Sequence, residues 1–116
     1  MATGELLWTP PPVAVLTPNG AVNANVSLSN AGTPKRTIRI VFVQWSYSAA
    51  PAGGRLTIAD EHRTIVDIDI TTAGTDSLWI PPGGLACQEG DGLNIVLFAG
   101  GAGITGKLNA GILLGS

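Results

Sequence analysis

An all-β sandwich is the fold class this chain predicts, on three observations. From Thr37 to Leu114 it is a succession of short apolar runs, each closed by Gly, Pro, Asn or Asp. The turn signals recur about every 8–12 residues, the spacing of a sandwich or barrel. No stretch has the 3.6-residue apolar period of a helix. With 116 residues there is room for one domain, large enough to bury a core without a disulfide or a metal. The expected architecture is a single small antiparallel β-sandwich, jelly-roll or Ig-like, over residues 18–116. An extended, Pro-rich N-terminal arm over residues 1–17 precedes it.

The elements follow in order. Trp8-Thr-Pro-Pro-Pro-Val-Ala-Val-Leu16 holds three consecutive prolines, which fix φ and remove N–H donors, so neither a helix nor a central strand can form there. Such an arm either straps its own sandwich or reaches a neighbour. Pro18-Asn-Gly20 predicts a turn. Ala21 to Ser29 alternates, with Val22, Ala24, Val26 and Leu28 on one face and Asn23, Asn25, Ser27 and Ser29 on the other, a half-buried strand. Asn30 to Pro34 turns.

Thr37 to Tyr47 is the strongest strand. Ile38, Ile40 and Phe42 share one parity, Val41, Val43, Trp45 and Tyr47 the other, so a central strand covered on both faces is expected. Arg55 to Ile58 is a short strand with Leu56 and Ile58 inward. Ala59 to His62 is a hairpin turn, and Arg63 to Thr71 returns with Val66, Ile68 and Ile70 alternating with Asp67 and Asp69. Thr72 to Asp76 turns, and Ser77 to Ile80 is a short strand stopped by Pro81-Pro-Gly-Gly84. Leu85 to Asp91 is a loop, Leu93 to Ala99 a buried strand, Gly100 to Gly103 a hairpin turn, and Gly106 to Leu114 the closing strand.

Composition narrows function. Apolar residues make up 45% of the chain and charged ones 12%, against a usual charged share of roughly a quarter. Small polar residues or other protein must therefore cover much of the surface, and a homo-oligomer is expected. Six basic residues, with only Lys35 and Arg36 adjacent, make no phosphate-tracking stripe, so no nucleic-acid partner is expected. No apolar run approaches the length of a membrane-spanning helix, and no membrane partner is expected. The first residues lack the basic and apolar regions of a secretory signal, and the single Cys87 has no internal disulfide partner. Synthesis in a cytoplasm fits both, and the Asn25-Val-Ser27 sequon then has no use.

Candidate chemistry is sparse. Gly101-Ala-Gly-Ile-Thr-Gly106 followed by Lys107 imitates two phosphate-binding motifs. Both need a helix after the glycines, whereas strand-like Leu108 to Leu114 follows. Asp67 and Asp69 project from one strand face and read as its solvent side, although Asp76, Glu89 and Asp91 could complete a calcium site with them. His62 is the only histidine, and Cys87 reads as a small buried apolar residue rather than its catalytic partner. No catalytic, cofactor or metal site is expected, and the chain reads as a non-enzyme. Trp45, Tyr47 and Trp79 could stack on a sugar, with Trp45 and Tyr47 sharing a strand face as a platform.

Several pieces together carry a resemblance: Trp45-Ser-Tyr-Ser48, Gly53-Gly-Arg-Leu-Thr-Ile58, Val66-Asp-Ile-Asp-Ile70 with Thr71-Thr-Ala-Gly74, and Leu93 through Ala99-Gly-Gly-Ala-Gly-Ile-Thr-Gly-Lys-Leu-Asn109. The pattern resembles small β-sandwich proteins from the structural gene blocks of tailed bacteriophages. It covers roughly residues 38 to 110, about two-thirds of the chain, and leaves the arm outside. The resemblance implies a virion structural protein, foremost a capsid decoration (cement) protein on the head surface that binds the major capsid protein and itself, with a trimer as one arrangement. It also admits a head-fibre or tail module that meets the host or binds carbohydrate. By composition, the expected partner contacts are Trp8, Pro10, Pro11, Pro12, Val13, Val15 and Leu16. The sugar platform of the alternative is Trp45 and Tyr47.

Overall fold

The computed structural model describes residues 14–115; the expected contacts Trp8, Pro10, Pro11, Pro12 and Val13 lie outside them. Nine strands follow one another: β1 (Ala14–Val22), β2 (Val26–Asn30), β3 (Thr37–Tyr47), β4 (Gly54–Ala59), β5 (Thr64–Ile70), β6 (Gly74–Ser77), β7 (Leu85–Ala86), β8 (Leu93–Leu97) and β9 (Thr105–Gly115). The described residues contain no helix. One sheet has the order β1-β9-β3-β6, with the short β7 also pairing β3, and the other has the order β2-β8-β4-β5. All pairings are antiparallel.

The pairs nest. β4 pairs β5, β3 pairs β6, β2 pairs β8 and β1 pairs β9, as if one long hairpin were wound around itself. This is the jelly-roll member of the two expected sandwich types. Winding brings β9 beside β3 and β8 beside β4, closing both sheets. The strand directions place the connections β1–β2, β3–β4, β5–β6 and β8–β9 at one end. Those between β2 and β3, β4 and β5, and β7 and β8 lie at the other, together with Ala14 and Gly115.

The core lies between the sheets. Ile38, Ile40, Val43, Trp45, Tyr47, Leu108, Ala110 and Ile112 come from the first sheet. They meet Val26, Leu28, Leu56, Ile58, Ile70, Leu93, Ile95 and Leu97 from the second. Each buried aliphatic side chain contributes about 1.5–3 kcal/mol relative to exposure. The Tyr47 hydroxyl, pushed up in pKa by burial, donates to the Phe98 carbonyl at 2.6 Å. That bond ties β3 of one sheet to the end of β8 of the other.

β3 has the expected limits and a central place in its sheet, but one buried face instead of two. Relative to β9, the register shifts between Ile40, opposite Ile112, and Phe42, opposite Gly111. Val41 is the extra residue of a β-bulge, which reverses the alternation. Ile38 and Ile40 before it and Val43, Trp45 and Tyr47 after it therefore all point into the core. Phe42 faces out.

Other expectations change for similar local reasons. The expected strand from Ala21 to Ser29 is two strands in different sheets. The break is at Asn23, whose φ of 46° suits an asparagine in the left-handed region, and Val22 ends up 60% exposed instead of inward. The expected Pro18-Asn-Gly20 turn is a register shift between Leu16 and Asn19 inside β1. Pro is tolerated there because β1 is an edge strand. Residues 14–17, expected as part of the arm, belong to β1, with Ala14 paired to Ile112.

The expected turn over Thr72 to Asp76 shortens, because Gly74–Ser77 forms β6 on the edge of β3. The chain then leaves the sheet after Leu78, whose N–H still donates to the Val43 carbonyl. It returns as β7 opposite Arg39 and Ile40. The excursion, where a strand over Ser77 to Ile80 was expected, sits opposite the Val41 bulge and holds Trp79 78% exposed. The Gly100–Gly103 segment is not a hairpin but an arch from β8 to β9 across the two sheets. Gly101 (φ 115°) and Gly103 (φ 75°) adopt the left-handed backbone it requires.

Replacing Tyr47 by Phe should leave the fold intact and lower stability by about 1–2 kcal/mol, because the Phe98 carbonyl loses its partner. Urea unfolding of the two proteins, compared at equal slope, measures this.

Candidate functional site

The densest polar cluster is at the end of the sandwich where Ala14 and Gly115 lie. The β4–β5 turn, Asp60 to Arg63, faces the segment before β8. Asp60 Oδ1 accepts the backbone N–H of His62 at 2.8 Å and of Arg63 at 2.9 Å, an Asx turn that closes the hairpin. Its Oδ2 accepts the N–H of Gln88 at 2.9 Å and, at 3.5 Å, Nε of Arg63. Glu61 accepts the N–H of Gly92 at 2.5 Å. Nδ1 of His62 lies 2.6 Å from Oδ2 of Asp91, whose side chain is 7% exposed. Gly32 packs against the same loop so closely that a Cβ would fall 2.1 Å from the Gly90 carbonyl oxygen.

The electrostatics follow from these contacts. Burial alone would raise the Asp60 carboxyl. The N–H groups of Gln88, His62 and Arg63 and the Arg63 guanidinium outweigh it and hold the group at about 2. The hydrogen bond to Asp91, then its charge, raises His62 above its ordinary value. Burial first, then the Asp60 and Asp91 carboxylates, pushes the Cys87 thiol up to about 11. Cys87 is 3% exposed, the environment of a small buried apolar residue.

Asp60, His62 and Asp91 form, among the described residues, the one group of three with ligand atoms within 4.8 Å of one another. The donor set does not favour a cation there. Both Asp60 oxygens already accept N–H groups, and His62 and Asp91 are spent on each other. The cluster is a clasp that fixes the β4–β5 turn to the β7–β8 loop.

The remaining expected residues are apart from it. Asp67 and Asp69 stand on the solvent side of β5. Arg55 holds Asp67 through two bonds of 2.7 and 2.6 Å while lying 5.1 Å from the Phe98 ring centroid. Asp76 pairs with Trp45 across β3–β6 in the other sheet, and its carboxylate accepts the N–H of Ser77. The calcium grouping of Asp67, Asp69, Asp76, Glu89 and Asp91 therefore does not assemble. Trp45 and Tyr47, expected as a sugar platform, are 6% and 2% exposed. The bulge at Val41 turns both inward, and they offer no platform. The glycine motif leads into β9, a strand, so it lacks the helix N-terminus that a phosphate needs.

The two outer faces differ in chemistry. Directly paired residues share a face, so the outer face of the second sheet carries Ser27, Ser29, Asn94, Thr57, Arg55, Asp67 and Asp69 around a half-buried Val96. On the first sheet, one row runs Val15, Gly111, Phe42 across β1, β9 and β3, with Leu113 in the next outward row opposite Arg39. Val15 is 62% exposed and Leu114, at the end of β9, 45%; Phe42 and Leu113 are half-buried. Val15 is thus an exposed residue of an apolar row at the root of the arm. Leu16, the next residue, is partly buried and packs against the core.

No protein-family profile matches the chain, and no curated protein sequence is significantly similar to it.

Sequence reasoning missed the clasp and the Val15–Gly111–Phe42 row. Asp60 two residues before His62 is a recognisable Asx-turn signal, but its link to Gln88 and Asp91 is long-range. The row depended on the bulge, which has no local mark.

Two measurements test the clasp. The Asp60 carboxyl is lower folded than unfolded, so its contribution is present above about pH 4 and is lost as pH falls toward 2. Asp60→Asn should lower the melting temperature at neutral pH, with the difference from wild type narrowing across that window. His62 is raised, so its contribution is present below its unfolded value near 6.5 and is lost as pH rises through the higher folded one. In an NMR titration His62 should titrate above that value, and Asp91→Asn should bring it back down.

Proposed function

We propose that this chain is a structural protein of a tailed-bacteriophage virion, of the capsid decoration (cement) type. It binds the major capsid protein on the head surface and acts by adding contact area rather than by catalysis. The observation that carries the reading is the difference between the two outer faces. One is polar apart from Val96; the other bears an apolar row, Val15, Gly111 and Phe42 with Leu113, next to which the proline-rich, apolar stretch of the sequence ends. The resemblance over residues 38 to 110 supports it, as does the low charged content of 12%. A docked module of this kind gains about 25 cal/mol per Å2 of apolar surface buried, before the cost of association. A clasped, bulge-registered sandwich loses little freedom on docking, which keeps that cost small.

The carbohydrate-binding alternative drew on Trp45, Tyr47 and Trp79; Trp45 and Tyr47 lie in the core, so the shared platform is lost and Trp79 alone of the three is exposed.

The test is occupancy on particles. Heads lacking the protein are mixed with the full chain, with a chain starting at Ala14, and with Val15→Asp, then sedimented. Full occupancy is expected for the first, at least a tenfold weaker association for the others. Removal must stop before Ala14, because β1 begins there. Undiminished decoration by the shortened chain and by Val15→Asp would sink this reading.

A further inference from the structure

The register shift inside β1 opens a cavity at the edge of the first sheet. Leu16 lies opposite Ala110 and Asn19 opposite Leu108, so Asn109 faces Thr17 and Pro18 together. Pro18 brings no N–H to the ladder. Beside this interruption is an open cavity of about 270 Å3, lined by Asn19, Gly20, Lys107, Leu108 and Asn109. That is just under the roughly 300–1,000 Å3 of sites for drug-sized ligands, room for one small ring and its substituents.

The lining is rich in hydrogen-bond donors. Lys107 is exposed, and among the described residues no carboxylate forms a salt bridge with it. A Cβ on Gly20 would fall 3.2 Å from Lys107 Cγ, so the lysine stem lies against bare backbone there. Asn19 Oδ1 accepts the Gly20 N–H at 2.9 Å, which leaves the NH2 of that amide as its free end.

The adjoining face adds neutral partners. Ser46 on β3 is directly opposite Lys107, and Gln44 directly opposite Asn109, so these four side chains share the outer face. Among the described residues, none of the four is hydrogen-bonded through its side chain within the chain. Asp76 is the one acidic residue in the strands of this sheet, and it pairs with the inward-facing Trp45. The outer face therefore presents a cation and no carboxylate.

We propose that this cavity binds a single acidic sugar unit, a pyranose bearing a carboxylate. The carboxylate meets the Lys107 ammonium, and the ring hydroxyls meet Asn109, Gln44 and Ser46. A cation without a carboxylate on its own face favours an anion. Amide and hydroxyl side chains both donate and accept, as sugar hydroxyls do. Lys107 and Asn109 stand two residues apart on one strand face, about 7 Å, a span that one pyranose covers from its carboxylate to its far hydroxyls. Inorganic phosphate has the charge but not the length, and would leave the amides unused. The site uses neither Trp45 nor Tyr47, and it goes beyond the decoration reading, which stands or falls on particles.

The test is an NMR titration of the isotope-labelled full chain with sodium glucuronate and with sodium galacturonate, at low ionic strength, where an exposed lysine is least screened. At least one should give saturable shifts of the Gly20, Lys107, Leu108 and Asn109 amide signals, with a dissociation constant on the order of 1 mM. The neutral sugars glucose and galactose should bind about tenfold more weakly, and so should the acidic sugar to Lys107→Gln or Asn109→Ala. Arg39→Gln, on the same sheet but opposite Leu113, should bind as the wild type does. Gln44→Ala, at an exposed position, repeats the test should Asn109→Ala fail to fold. Acetate and inorganic phosphate should leave the Asn109 signal in place. The proposal is overturned if neither acidic sugar gives saturable shifts up to roughly 50 mM. Equal binding of the neutral sugars, acetate or phosphate overturns it too, as does undiminished binding by Lys107→Gln.

Discussion

The register between β3 and β9 is the constraint on which the rest depends. These are the two longest strands, and they lie at the centre of one sheet. A single extra residue, Val41, decides which side chains enter the core. Without it, Ile38 and Ile40 would face away from Val43, Trp45 and Tyr47, because slipping a strand by one residue exchanges its faces. With it, five large side chains of β3 point one way and Phe42 the other. The same register puts Gly111 opposite Phe42, so the bulge sets the core and the outer apolar row in one step. It also loosens the other edge of β3, where the chain departs after Leu78 and returns at Leu85, leaving Trp79 in solvent.

Nested pairing makes this register depend on contacts far apart in sequence. Ala14 and Ile112 are partners at opposite ends of the chain, while the β4–β5 hairpin closes over four residues. Loop-closure entropy makes the local hairpin the less costly beginning. The clasp belongs to that beginning. Asp60 first satisfies its own turn through His62 and Arg63, then accepts Gln88 from far along the chain. A local turn is thereby turned into an anchor for the β7–β8 loop, and β8 enters beside β4 already positioned.

What could be read from the chain beforehand divides along the same line. Strand existence depends on period-2 patterning and turn residues, which are local. The limits of β3, the inward pair Leu56 and Ile58, and the alternation of Val66 to Ile70 with its aspartates were all legible. Parity across a bulge is not local, since the extra residue is defined only against β9. Hence β3 read as apolar on both faces, and Trp45 and Tyr47 read as a platform. Asn23 hid the passage between sheets because an asparagine on the polar side of an alternation looks like any other polar residue. Pro18 read as a turn because the edge position that tolerates it is a property of the sheet. Of the site, the Asx turn at Asp60 was visible in principle; its partners Gln88 and Asp91 were not.

The two ends and two faces of the sandwich then have separate tasks. The end with the glycine arch is tied by backbone: Ala52 to Gly100, Asn23 to Ile104, Ser48 to Thr105. The opposite end is tied by side-chain charge, through Asp60, Glu61, His62 and Asp91. Backbone ties are insensitive to pH, whereas the Asp60 contribution is lost as pH falls toward 2 and the His62 contribution as pH rises through its raised value. The polar outer face of the second sheet, with Arg55 spread over Phe98 and held by Asp67, resists association. The outer face of the first sheet instead carries the row Val15, Gly111 and Phe42, set in register by the same bulge that fills the core.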